Sequence, residues 1–139
     1  MNASKMSWGG LLRWGLLGLA AIVLALTATS LPSLWTGHLG GLPLIIHTAV
    51  GGGLVFALPV VAVLGLIQRG VTTRWAAAFW GIVVSGFATV FTVFWCMLPT
   101  TPSESMPAWI AAHGWSGLTM PLFVVAAIGF RIRRGGSGP

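Results

Sequence analysis

The segment LIIHTAVGGGLVFALPVVAVLGLI, residues 44–67, has no Asp, Glu, Lys or Arg, and its one titratable side chain is His47. A helix rising about 1.5 Å per residue over this length exceeds the roughly 30 Å hydrocarbon core of a bilayer. A helix apolar on every face has no use for water, and a lone strand in lipid leaves its backbone groups unpaired. The segment therefore reads as a membrane-crossing helix. Similar runs lie at 11–30, 75–98 and 107–130, separated by LPSLWTGHLGGLP, QRGVTTR and PTTPSESMP, whose Pro, Gly and Ser content marks connections. The expectation is an all-α integral membrane four-helix bundle, one transmembrane domain over 1–139.

Composition agrees. The chain has 139 residues, 56% hydrophobic and 6% charged, against about 25% charged in ordinary soluble domains. So few charges cannot solvate a globular surface, which excludes a soluble monomer. The net charge of +6 is not gathered into a basic patch with interleaved aromatics, so nucleic acid is not an expected partner. Lys5 and Arg13 accompany the first run, Arg69 and Arg74 the second connection, and Arg131, Arg133 and Arg134 the end of the fourth run. The other two connections carry no Lys or Arg, and Glu104 is the only acid. The positive-inside bias then puts both termini on the cytoplasmic side. Trp8, Trp14, Trp75 and Trp80 fall near the basic ends, and Trp35, Trp95, Trp109 and Trp115 near the others, as two interfacial belts. Lys5 and Arg13 ahead of an apolar run closed by small residues at 28–30 also fit a cleavable signal peptide. The run is read here as a retained helix.

The two hairpins look alike. Leu31-Pro32 ends the first run and His47 follows 15 residues after that proline; Leu98-Pro99 ends the third and His113 follows 14 after its own. Pro43 and Pro107 open the second member of each pair, where a missing N–H costs little. A degenerate duplication, repeated about an axis along the membrane normal, would place the two histidines at equal depth.

Both histidines begin an H-x-x-x-G motif, with Gly51 and Gly117 as the glycines. Residues four apart share a helix face, so each imidazole stands beside a position without a side chain, and Gly52 and Gly53 thin that helix further. Ionisable groups in lipid are costly, and two of them in matching places suit axial ligation of a haem b from both faces. Haem propionates would meet the N-termini of the two ligand helices, whose N–H groups favour carboxylates. From Pro43 to His47 is about 6 Å of helix and from Pro107 to His113 about 9 Å. That places the iron in the outer half of the bilayer. The competing reading is that each histidine bonds a neighbouring helix and each glycine serves close packing.

Other residues carry weaker signals. His38 lies in a Gly-rich connection and reads as a loop histidine. Cys96 is alone, which excludes an internal disulfide or a multi-cysteine metal site, and reads as a small apolar side chain. Pro59 and Pro121 are expected to kink their helices. Met97, Met106 and Met120 are too scattered to form a metal site.

Arg13-Trp14 at the opening of the first helix, Thr27 toward its end, the LGGLPLIIH approach to His47 and an early histidine in the fourth helix give the chain its resemblance to a family. It resembles the four-helix b-type cytochrome subunits of bacterial respiratory oxidoreductases, such as formate dehydrogenase gamma subunits and hydrogenase cytochrome b. That resemblance implies a multi-pass subunit of the bacterial cytoplasmic membrane, working with other subunits. It implies electron relay between the quinone pool and a periplasmic cytochrome or iron–sulfur protein. Where those families carry a further histidine, this chain has Leu16 and Leu17, so one haem is implied rather than two. Thr48 and Ser116, next to or near the ligands, would adjust its potential. The alternative is a cofactor-free membrane subunit scaffolding a larger complex; a transporter is disfavoured by the absence of an intramembrane acid.

Overall fold

The computed structural model describes residues 8–67 and 73–135, with side chains described over 8–67 and 75–130. Lys5, Arg69 and most of the second connection lie outside the described residues, as do the side chains of Arg74, Arg131, Arg133 and Arg134. The elements are α1 (Trp8–Ser30), α2 (Ser33–Thr36), α3 (Gly41–Ile67), α4 (Thr73–Met97) and α5 (Met106–Gly135), with no strand among the described residues. The fold is all-α, and four helices are long and apolar enough to cross a membrane; Gly41–Ile67 leads with a mean hydropathy of 2.4. Each expected run is found. α1, α3 and α4 begin two or three residues early, because a helix continues past the edge of its apolar stretch until turn chemistry stops it.

The first connection is more ordered than its composition suggests. Pro32, at φ −57° and ψ −32°, stands ahead of the single turn α2, since the fixed φ of proline suits a helix start. Gly37 closes that turn at φ +72°, its N–H donating to the Ser33 carbonyl at 2.9 Å, and Gly41 opens α3 at φ +60°. Only glycine takes such angles without strain.

The chain divides into two compact units, Met1–Val71 and Thr72–Pro139, and each holds one long helical hairpin. In the first, α1 buries Leu12, Leu16, Leu19, Ala20 and Val23, and α3 buries Leu54, Leu58, Val61 and Gly65. The alternating three- and four-residue spacings form one stripe per helix, as ridges-into-grooves packing requires. Between apolar helices in lipid the stabilising force is dispersion and close fit, because lipid tails are as apolar as leucine. Gly15 provides that fit: a Cβ there would come within 3.2 Å of Val61 Cγ2.

The second hairpin repeats the pattern with different residues. Along α5 the buried Met120, Val124 and Ala127 follow Leu54, Leu58 and Val61 of α3 by 66 residues each, and His113 follows His47 by the same interval. Along α4 the interval is 63: Trp75, Phe79, Ile82 and Val83 take the places of Leu12, Leu16, Leu19 and Ala20. The likeness of the two hairpins is therefore in register within each helix, and the three-residue difference falls in the connections. Trp75 is only 7% exposed and stacks on Phe79 at 5.1 Å, so it is an interior residue of its hairpin, whereas Trp35 is 79% exposed. Pro59 and Pro121 both lie inside continuous helices.

Candidate functional site

His47 stands seven residues before the buried Leu54, and His113 seven before the buried Met120, so each extends its helix's packing stripe by one heptad. Each imidazole consequently faces the partner helix of its own hairpin and is half-buried. In the first hairpin His47 Nδ1 lies 3.0 Å from Thr29 Oγ1. Thr29 donates its own hydroxyl proton to the Ala25 carbonyl at 2.8 Å, with the Leu26 carbonyl at 3.0 Å. The hydroxyl and the ring nitrogen share one hydrogen bond, whose donor is set by the imidazole's tautomer.

The second hairpin uses the same parts. Thr92 Oγ1 donates to the Ala88 carbonyl at 2.8 Å, lies 3.0 Å from the Thr89 carbonyl, and stands 3.4 Å from His113 Nδ1. The shorter contact of His113 Nδ1 is to the Thr89 carbonyl itself, at 3.0 Å. A carbonyl only accepts, so His113 carries its proton on Nδ1. Thr89 Oγ1, Ser116 Oγ and the His113 carbonyl continue the polar seam through contacts of 3.0 Å. An A-x-x-x-T near the end of the first helix recurs in both hairpins; its threonine meets the histidine at 3.0 Å in the first, while in the second the Thr89 carbonyl is nearer than Thr92.

The tautomer has a chemical consequence. A neutral imidazole protonated on Nδ1 holds its lone pair on Nε2, and metal-ligating histidines are commonly arranged this way, with the other ring N–H donated to a carbonyl or similar acceptor. Among the described residues no group of three His, Cys, Asp or Glu could hold a bare metal ion. An imidazole is also the kind of donor that can serve as an axial nitrogen of a haem, which takes four of its donors from its own macrocycle.

The glycines of the two motifs also face their own hairpins. A Cβ at Gly51 would lie 3.9 Å from Leu26 Cδ2, and one at Gly117 3.8 Å from Thr89 Cγ2, both ordinary contacts. Neither hairpin needs glycine there for its own packing. His38 is exposed, and its Nδ1 lies 3.0 Å from the Thr36 carbonyl, so it closes the loop after α2. Thr48 is exposed and turns its hydroxyl to the Leu44 and Ile45 carbonyls, while Ser116 belongs to the His113 seam. Cys96 is a half-buried free thiol. An open apolar groove of about 380 Å³ on the first hairpin, lined by Gly15, Gly18, Ile22, Gly53 and Phe56 among others, does not include His47.

Thr29, Thr89 and Thr92 are site residues that the histidine motifs alone do not reveal. The signal for Thr29 and Thr92 is a threonine four residues after an alanine in the last third of an apolar run. Thr27, part of the family resemblance, turns its hydroxyl to the Val23 carbonyl at 2.8 Å. No protein-family model, curated protein or solved structure matches the chain.

Proposed function

We propose that this protein is a membrane cytochrome b subunit that holds one haem b through His47 and His113 and relays electrons between the quinone pool and an extracytoplasmic redox partner. The observation that supports the reading is that each histidine turns Nδ1 to its own hairpin, His47 to Thr29 Oγ1 and His113 to the Thr89 carbonyl, both at 3.0 Å, which puts Nε2 on the opposite side of the ring. Haem, when bound, supplies a one-electron iron couple whose potential follows its axial ligands and their hydrogen bonds. The chain's part is to hold two imidazoles in lipid and fix their rings against rotation. His47 lies about 9 Å into α3 and His113 about 10 Å into α5, near helix N-termini that favour propionate carboxylates. The proposed setting is the bacterial cytoplasmic membrane with both termini inside. The partners would be other complex subunits, quinone, and a periplasmic cytochrome or iron–sulfur protein.

The deciding experiment is a reduced-minus-oxidised visible spectrum of the purified protein with a pyridine haemochrome count. About one low-spin haem b per chain supports the reading; a folded chain isolated gently and carrying none sinks it. The second reading, a cofactor-free scaffold, is favoured by the fact that each histidine ties together the two helices of its hairpin. The motif glycines separate the two. Gly51→Ala is expected to leave hairpin stability unchanged or raise it by up to about 1 kcal/mol, since glycine disfavours helix, and to lower haem content. A variant that keeps full haem removes Gly51 from the site.

A further inference from the structure

The groove of the first hairpin has a counterpart in the second, and there the place is filled. By the intervals of 63 and 66 residues that relate the two hairpins, Gly81 corresponds to Gly18 and Phe123 to Ala57. The ring of Phe123 lies where a Cβ on Gly81 would stand, whereas nothing comes within 4 Å of a Cβ on Gly18. Gly18 and Ala57 both line the groove of about 380 Å³, and its floor, the buried Leu19 and Val61, belongs to the packed α1/α3 interface. The first hairpin therefore keeps a hollow where the second seats a phenyl ring. A ring also stands at the rim: Phe56, next to Ala57 in the chain, lines the groove and is 77% exposed. We infer that the groove and Phe56 form one self-complementary patch through which two copies of this chain dimerise in the membrane, each Phe56 seated in the other copy's hollow beside Gly18.

The chemistry of the patch selects its occupant. The lining is Gly, Ala, Val, Leu, Ile and Phe with no polar side chain, so a partner with a polar head has nothing to bond there, and an apolar ring strands no hydrogen-bonding group. Depth points to a second copy. On α3 the groove runs from Gly53 to Val61, and Phe56 falls within that span, so ring and hollow lie at one level of the bilayer. Copies inserted with the same topology are related by an axis along the membrane normal, which preserves depth, and a two-fold contact places the same patch on both sides. A ring at another level could not reach. The stabilising force in lipid is close fit, supplied here by a rigid ring against backbone left bare at Gly15, Gly18 and Gly53. Seated there, the ring extends outward an interface that α1 and α3 have already packed.

The test is fluorescence energy transfer between full-length copies carrying donor or acceptor on a C-terminal tag, in lipid vesicles, as lipid is added to dilute the protein. Wild type is expected to show transfer that falls on dilution. Phe56→Ala removes the ring, and Ala57→Phe fills the hollow from within as Phe123 does in the second hairpin; each should weaken the dimer about tenfold or more. Leu122→Ala, at the counterpart of Phe56 and equally lipid-facing at 70% exposed, should leave it unchanged. Mixing the two weakened variants tests reciprocity. One keeps its hollow and the other its ring, so the mixed pair rebuilds one of the two contacts and should form more tightly than either variant with itself. Helix content of every variant, recorded in the same vesicles, separates lost association from lost fold. Wild type without transfer, variants that dimerise as well as wild type, equal weakening by Leu122→Ala, or a mixture no tighter than its components overturns the inference. None of these readouts depends on haem, so the dimer and the cytochrome reading stand or fall separately.

Discussion

His47→Gly is expected to lose the low-spin haem spectrum, and free imidazole to bring it back. Removing a ligating side chain should cost more than removing the group behind it, so haem per chain should fall at least about 100-fold. The substitution also leaves an imidazole-sized gap in a half-buried position. Thr29 Oγ1 remains at its edge, still back-bonded to Ala25, and can accept the N–H of a diffusible imidazole. His113→Gly should behave the same way, with the Thr89 carbonyl as the acceptor. The measurement is the visible spectrum of each variant across an imidazole titration, with helix content recorded in parallel. Full low-spin haem in either variant without imidazole defeats the pairing of His47 with His113.

The second large effect concerns the fold. Gly81→Leu is expected to open the second hairpin, because the ring of Phe123 already occupies the place where any side chain at 81 would begin. The conflict includes Phe123 Cγ, the root of the ring, so moving the ring tip does not relieve it. The ring must leave its rotamer or α5 must shift. Overpacking of this kind costs about 1–3 kcal/mol for a modest insertion, and Gly81→Ala should fall in that range with Gly81→Leu above it. Gly114, on α5, has no atom within 4 Å of its hypothetical Cβ, so Gly114→Ala should leave stability unchanged or raise it by up to about 1 kcal/mol. Unfolding in mixed micelles followed by helix content ranks the three. Combining Gly81→Ala with Phe123→Ala should recover part of the loss, as expected for residues in direct contact. Equal stability of Gly81→Leu and Gly114→Ala would show that the hairpin does not need this approach.

Much of the helix architecture was legible because an apolar run longer than a bilayer is wide leaves a chain few options. His47 and His113 were legible for the same reason: a titratable group in such a run is costly and stands out. Their acceptors were not. Whether Thr29 or Thr27 meets His47 depends on how two helices slide against each other, and one residue of slip changes the answer by about 100° around the helix. The Thr89 carbonyl has no sequence signature at all. The turn α2 was hidden because its Pro and Gly serve equally as loop residues and as helix caps. That Trp75 is buried and stacked on Phe79 was hidden too, because its place beside Arg74 tells of its position along the helix and not of the face it occupies.

Each imidazole finds its acceptor within its own hairpin, on the helix made just before it. For biosynthesis this sets an order. As α3 leaves the translocation machinery, α1 is already present with Thr29, and as α5 follows, α4 is waiting with Thr89. A histidine entering lipid alone would carry an uncompensated polar ring, whereas one entering beside its finished neighbour can hand its N–H over during insertion. The chain can thus be delivered to the membrane two helices at a time, with each imidazole already partnered within its own hairpin.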